Sequence, residues 1–308
     1  MRPRLFYCDH CSIPLPPGHK FPMAKYRLLR ESLAAHRVFR MEPSPPATPE
    51  TVMAAHDPGY VNAILEGTLD QALMRRIGFP WSRDLVERSL VSVGGTLAAA
   101  QDALDTGFGG NLAGGTHHAF RDAGAGFCVF NDIAVAIVAS RRSGRLRRAA
   151  VIDLDVHQGD GTAAIFRDDP SVFTLSIHGC HNFPFRKQQS SIDVDLPDAT
   201  SDQEYLSELA RVLPRIFAFD PDLVFYQAGV DALHGDRLGR LALTLNGLKE
   251  RDQLVFDACR VHRVPVVVTL GGGYADPITR TVEAHTNTFL AAAEQLALAL
   301  ETFSCVPS

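Results

Sequence analysis

The stretch Ala149–Thr162, AAVIDLDVHQGDGT, decides the fold. Its first four residues are uniformly apolar, as in a parallel strand covered on both faces. The remainder turns polar and places Asp153, Asp155, His157 and Asp160 within eight residues. In an extended chain, residues i, i+2 and i+4 point to one side, so Asp153, Asp155 and His157 share a face where the strand runs out. Such groups at the mouth of a buried strand repel one another, or are costly to desolvate, unless a cation holds them. The stretch reads either as a metal site with Asp155 and His157 as ligands or as a surface turn closing a strand. The rest of the chain decides between the two.

Outward from this stretch, strand-like runs alternate with helical periodicities. Arg4–Cys8, Val172–Ile177, Asp222–Ala228 and Pro265–Leu270 read as further strands. Lys25–His36, Arg83–Leu104, Asp132–Ser140, Ala163–Arg167, Asp202–Phe219, Leu245–His262 and Pro277–Glu301 read as helices, and Pro49–Gly67 as two short ones. Ser82 and Asn131 are suited to N-caps, and Ser201-Asp202-Gln203-Glu204 to a capping box. Gly94-Gly95 marks close packing rather than a break. The Pro-rich Arg40–Pro49, the Gly-rich Gly114–Asn131 and the segment His178–Ser191 read as loops. This alternation predicts an α/β fold, with a central, mostly parallel sheet and helices on both faces. No repeat or linker divides the chain, so residues 1–308 are expected to form a single domain. In such sheets ligands sit beyond the carboxyl ends of the strands. The unusual residues fall there: Asp155 and His157, then Asp231, then Tyr274.

Hydrophobic residues make up 46% of the chain and charged residues 21%, which supports a large core and argues against wholesale disorder. The formal net charge of −5 provides no basic field for nucleic acid or an anionic membrane. The one basic run, RRSGRLRR at Arg141–Arg148, precedes the central strand and reads as a solvated loop. The six cysteines are scattered, and Cys8-Asp9-His10-Cys11 has no partner pair at zinc-ribbon spacing. The N-terminus MRPRLFYCDH lacks an apolar core of signal-peptide length, and no apolar stretch approaches the span of a bilayer. A soluble, cytoplasmic protein in a reducing compartment is expected, with neither nucleic acid nor membrane as partner.

Gln227–Gly239, QAGVDALHGDRLG, puts Asp231 just past its strand. Asp155, His157 and Asp231 would give three ligands of mixed oxygen and nitrogen type, leaving a position open for water or substrate as in a catalytic zinc site. The same donors suit Fe(II) or Mn(II). Gly115–Ala119, GTHHA, places His117 and His118 side by side in a Gly-rich loop. Alone, such a pair reads as one core and one exposed histidine. Beside a metal it meets the need for a general base near neutral pH. A base needs an orienting partner for its far ring nitrogen, and Asp153 and Asp160 are carboxylates left for that task. Tyr274 follows three glycines that allow backbone to approach a ligand closely. It is either a donor to a developing oxyanion or a core or lid tyrosine.

Together, GGTHHA, GFCVFND, DLDVHQGDGT, GVDALHGDRLG and LGGGY, in this order over nearly the whole chain, resemble the zinc-dependent histone deacetylase superfamily, whose fold is the arginase–deacetylase α/β sheet. The resemblance implies that Asp155, His157 and Asp231 bind one catalytic Zn2+, with Fe2+ as the alternative ion. It implies that His118 is general base and later acid, paired with Asp160, and that His117, paired with Asp153, is its electrostatic partner. Tyr274 would polarise the acyl carbonyl. Asp153, Asp155, His157, Ser176 and Ile177 match a structural K+ site, partly through backbone oxygens, and Phe166, Asp169 and Val172 match a second monovalent-cation site more loosely. Phe127 and Phe183 match the aromatic walls of an acyl-lysine tunnel, with Gly126 and Leu238 beside them, and Arg27 matches an internal arginine of the product cavity.

The loop GCHNFPFRKQQSS lacks the Phe-Pro-Gly-Thr-Gly run of class I and II enzymes and looks more like the class IV branch and its bacterial relatives. No acidic rim residue is recognisable near Phe79-Pro80-Trp81. The implied activity is hydrolysis of an Nε-acyl-lysine, acetyl or longer, by metal-activated water, on a protein or peptide. The alternative is a small-molecule amidohydrolase acting on acetylpolyamines or similar N-acyl amines. A two-manganese ureohydrolase would need further bridging carboxylates where this chain has Gln158-Gly159. A catalytically silent acyl-lysine reader would not be expected to keep His117, His118 and Tyr274. Oligomeric state is not legible in the sequence.

Overall fold

In Ala149–Asp153, alternate side chains enter two different cores. Ala149 and Val151 are buried in one, Ala150 and Ile152 in the other. The period-two geometry of a strand requires this wherever helices cover both sheet faces.

The computed structural model describes residues 2–304, so Cys305 lies outside the described residues. The strands are β1 (Arg4–Tyr7), β2 (Arg40–Pro43), β3 (Phe108–Asn111), β4 (Ala149–Asp153), β5 (Val172–Gly179), β6 (Ile192–Leu196), β7 (Leu223–Gln227) and β8 (Val266–Thr269). The helices are α1 (Ala24–His36), α2 (Pro49–Val52), α3 (Pro58–Glu66), α4 (Gln71–Ile77), α5 (Arg83–Thr106), α6 (Asp132–Arg142), α7 (Asp160–Phe166), α8 (Asp202–Ala218), α9 (Leu245–His262) and α10 (Thr279–Ser304). The strands form one sheet in the order β2-β1-β3-β8-β7-β4-β5-β6, and every pairing is parallel. Leu223 and Phe225 of β7 and Val267 of β8 join the core under α5 and α6. Val224, Tyr226, Val266 and Val268 join the core under α1, α8, α9 and α10.

Local signals act as expected at several helix ends. Ser82 Oγ accepts Leu85 N at 3.0 Å, and Asn131 Oδ1 accepts Ala134 N at 2.9 Å. The Glu204 carboxylate turns back to accept Ser201 N at 2.8 Å. α5 runs unbroken through Gly94-Gly95, where a Cβ on Gly94 would strike the backbone of Pro45 and Ala47 and one on Gly95 the side chains of Ser44 and Asn111.

Three strands and one helix go beyond the sequence reading. β2 lies inside the segment read as a Pro-rich loop, and β6 follows the loop after β5. Both are edge strands, held by a single neighbour each. β3, with sequence FGGN, carries two glycines that ordinarily weaken a strand. Close neighbours on both faces account for them: a Cβ on Gly109 would fall on the backbone of Ala99 in α5, and one on Gly110 would press on Leu5 and Phe289. α4 also forms where no helix was expected. Cys8 and Cys11 are buried, and Arg88 donates to both of their carbonyls, at 3.2 and 2.8 Å. The described cysteines are all free.

The loops that leave the carboxyl ends of β3, β8, β7 and β4, four adjacent central strands, converge on one cleft. One buried contact that steadies this edge depends on pH. His56 Nε2 accepts Asn131 N at 2.9 Å, and burial lowers the His56 pKa to about 4. The unfolded chain therefore binds this proton more readily than the folded one, and stability falls as pH drops from about 6.5 towards 4. The contribution lost by pH 4.5 should be on the order of 2–3 kcal/mol. Urea unfolding at pH 7 and pH 4.5 tests this: H56Q should lose less stability than the parent over that interval, and equal losses would refute the assignment.

Candidate active site

β4 ends at Asp153, so Asp155 and His157 do not continue along its face. The chain instead folds back through two side-chain-closed turns. Asp155 N donates to Asp153 Oδ1 at 3.2 Å, and His157 N donates to Asp155 Oδ1 at 3.0 Å. These turns leave His157 Nδ1 3.0 Å from Asp155 Oδ1 and 3.1 Å from Asp231 Oδ2. The other oxygen of each carboxylate is held by the protein. Asp231 Oδ1 accepts Val156 N at 2.9 Å, and Asp155 Oδ2 accepts Gly272 N at 2.7 Å and Gln227 Nε2 at 3.0 Å. Both carboxylates are buried.

The set fits a divalent ion. Bonds of about 2.0–2.2 Å at tetrahedral angles separate ligand atoms by roughly 3.4 Å, close to the spacing seen. Electrostatics agree. Burial, and then the neighbouring Asp155, push Asp231 up to about 7. Burial disfavours charge on His157, but the two carboxylates outweigh it and raise His157 to about 10. The point they share is one where positive charge is stabilised.

Two histidine–carboxylate pairs adjoin this point. His117 Nδ1 lies 2.7 Å from Asp153 Oδ2, and His118 Nδ1 lies 2.7 Å from Asp160 Oδ1. The rings are 4.1 Å apart, yet their charge states diverge. Burial opposes protonation of His117, but Asp153 and Asp155 dominate and raise it to about 9. Burial and then the charge of His117 lower His118 to about 4. The protein's own groups thus favour charge on His117 over charge on His118, whose Nδ1 is already committed to Asp160, leaving Nε2 as its basic nitrogen.

A cavity of about 340 Å³ opens above the site, and Phe127, Phe183, Gly126, Leu238 and Tyr274 line it. Phe183 meets the His118 ring edge-to-face at 4.9 Å. Phe127 adopts φ 65°, and its ring packs between Phe79 and Phe21. Gly126 has φ +55°, and a Cβ there would come within 2.6 Å of His118 Cδ2. Tyr274 N donates to Asp236 Oδ2 at 2.6 Å, and burial holds the phenol well above its usual value, so it remains a donor. Asp153 and Ser176 are register partners across β4 and β5, with Ile177, Asp155 and His157 just beyond. Phe166, Asp169 and Val172 share a turn in which the Phe166 and Asp169 carbonyls already accept backbone N–H groups, and Arg141 reaches Asp169 at 2.5 Å.

Arg27 does not enter the cavity. It is exposed and pairs with Glu31 at 2.9 Å. Lys25 is the buried cation of α1, donating to Gly271 O at 3.1 Å, and burial lowers it to about 8 against the pull of Asp231 and Asp155. Helical spacing carried this signal: Lys25 lies four residues before the buried Leu29 and eight before Leu33. Arg88, from α5, lines the same cavity. Sequence reading also passed over Gln227, Asp236 and Asp132. Asp132 receives Gly115 N at 3.0 Å and Thr116 N at 2.8 Å, anchoring the loop that carries the two histidines. Its place inside GFCVFND was the available signal.

A parallel α/β sheet with this carboxylate–imidazole cluster and histidine pair at its carboxyl edge defines a hydrolase of the arginase–deacetylase fold. Residues 19–289 match the histone deacetylase domain, and the chain belongs to the histone deacetylase family and is an amide hydrolase. It is 46% identical over 287 residues to an uncharacterized protein of Picosynechococcus sp., covering 92% of this chain and 95% of that one. It is 37% identical over 194 residues to Histone deacetylase 2 of Arabidopsis thaliana, and 35% identical over 206 residues to the acetoin utilization protein AcuC of Bacillus subtilis. Each of these two matches covers 62% of this chain, and 50% and 53% of the respective relative. The structure is similar to that of an acetylpolyamine aminohydrolase from Burkholderia pseudomallei, with a TM-score of 0.76 over 95% of this chain and 99% of the other. At 21% identity that likeness shows the fold. No described helix is long and apolar enough to cross a membrane.

If Asp231 is a ligand, D231N should weaken the tightest-binding equivalent of Zn2+ at least about tenfold in calorimetric titration of metal-stripped protein. Unchanged affinity would place the ion elsewhere.

Proposed function

We propose that the protein hydrolyses the side-chain amide of Nε-acyl-lysine, acetyl or longer, in a protein or peptide. The observation that carries this reading is the aromatic passage between Phe127 and Phe183, which leads to the cluster of Asp155, His157 and Asp231. An acylated lysine is uncharged and can enter such a passage with less desolvation cost than an ammonium. A divalent ion at the cluster, Zn2+ with Fe2+ as the alternative, would supply Lewis acidity and lower the pKa of water.

The chain's own groups then divide the proton work. His118 Nε2 takes the proton of the attacking water, while Asp160 fixes the ring through Nδ1. His117, paired with Asp153 through Nδ1, faces the negative charge that develops. The Tyr274 hydroxyl donates to the acyl oxygen as it gains charge. Protonated His118 passes its proton to the leaving lysine amine. Asp153, Asp155, His157, Ser176 and Ile177 would hold a structural K+, which would stiffen the turns that aim the ligands.

A second reading is an amidohydrolase of acetylpolyamines, the reaction named for the Burkholderia pseudomallei protein of the same fold. The cavity lining weighs against it. Among the lining residues the carboxylates, Asp155 and Asp231, lie at the cluster, Arg240 and His181 stand at the mouth, and the Asp198 carboxylate beyond them is already paired with both, so no free anion there awaits the ammonium groups of a polyamine.

H118A and Y274F should each lower kcat at least about 100-fold while the bound-metal content stays constant, and near-normal turnover in either variant would remove that residue from its role. On substrates, kcat/KM for a series of acyl-lysine peptides should exceed that for acetylpolyamines, and a chelator should abolish cleavage. The reverse order would transfer the assignment to the small-amine reading.

A further inference from the structure

Outside the proposed reaction, three further metal-type donors converge at the mouth of the cavity. Cys180 Sγ lies 3.4 Å from His181 Nδ1, and His181 Nδ1 lies 3.2 Å from Asp198 Oδ1. The three atoms all lie within 4.8 Å of one another. Zinc bonds of about 2.3 Å to sulfur and 2.0–2.2 Å to nitrogen and oxygen, at tetrahedral angles, give ligand separations of roughly 3.4–3.6 Å. The spacing here is that of a ligand set, and it is close to that at Asp155, His157 and Asp231.

The geometry distinguishes this from a nucleophilic triad. A relay uses both ring nitrogens, one toward the thiol and the other toward the carboxylate. Here sulfur and oxygen both face the same nitrogen, Nδ1. A proton on Nδ1 serves one neighbour at a time, whereas a cation at the centre serves all three donors. Arg240 holds Asp198 Oδ2 at 3.3 Å and leaves Oδ1 turned inward. Cys180 N donates to Leu196 O at 2.8 Å, and Ala199 N to Arg240 O at 2.8 Å, so backbone bonds fix both segments.

We propose that Cys180, His181 and Asp198 form a second divalent-cation site, selective for zinc-class ions, at the mouth of the active-site cavity. The thiolate favours zinc, cobalt or cadmium over magnesium and calcium, and the thiol proton leaves as the ion binds. One thiolate and one carboxylate neutralise the ion, and the exposed side leaves a position for water. His181, Asn182 and Phe183 all line the cavity, so an ion on His181 tethers the segment that carries one aromatic wall.

Co2+ is the probe, because thiolate ligation gives a near-ultraviolet charge-transfer band that a carboxylate–imidazole site cannot give. The metal-stripped full chain, kept reduced, should take up two equivalents of Co2+, one of them with this band. C180S should take up one equivalent and lack the band. H181N, should C180S fold poorly, should weaken the band-forming equivalent at least about tenfold. D231N should keep the band, which separates this site from the proposed catalytic one. No band in the parent protein at saturating Co2+, or an unchanged band in C180S or H181N, would overturn the proposal.

Discussion

The structure turns on the cost of burying negative charge. Asp155 and Asp231 are both sequestered from water within reach of one imidazole nitrogen, and burial alone opposes their ionisation. The protein does not relieve this cost by pairing them with arginine or lysine. It commits one oxygen of each to backbone or amide N–H groups and turns the other toward His157 Nδ1. What remains is a point of negative potential with fixed donors, which is the physical definition of a cation site.

The neighbouring residues follow from that constraint. His117 and His118 are chemically identical and adjacent, but their surroundings push their protonation in opposite directions. His117 feels both Asp153 and Asp155, while His118 has Asp160 and the adverse charge of His117. Asp132 ties down the loop that carries the pair, and Asp236 ties the backbone of Tyr274 to the turn before Leu238. Gly126 has its place for a steric reason, since any side chain there would press on the His118 ring.

Much of this was legible in the chain. The apolar run before Asp153 and the strand–helix alternation give a parallel α/β sheet, because buried parallel strands leave no polar face to alternate with. Ser82 and Asn131 mark their helix starts because capping is a contact across three residues. The edge strands β2 and β6 were not legible, since short edge segments carry little hydrophobic signal. Nor was β3, whose glycines answer to the close approach of α5 on one side and of Leu5 and Phe289 on the other rather than to strand propensity. Arg27 and Lys25 make the same point inside one helix: the family resemblance suggested the arginine, but the buried face selects the lysine.

By itself, then, the sequence determined the sheet class, the family and the kinds of donor gathered at the strand ends, because these rest on local periodicity and on motifs contiguous in the chain. The tertiary structure alone decided which oxygen of each carboxylate faces His157, which histidine stays neutral and which cation of α1 is buried. It alone also brought Asp198 to Cys180 and His181. Those outcomes depend on distances of a few ångströms between residues far apart in the chain, and on a burial that no single segment can create.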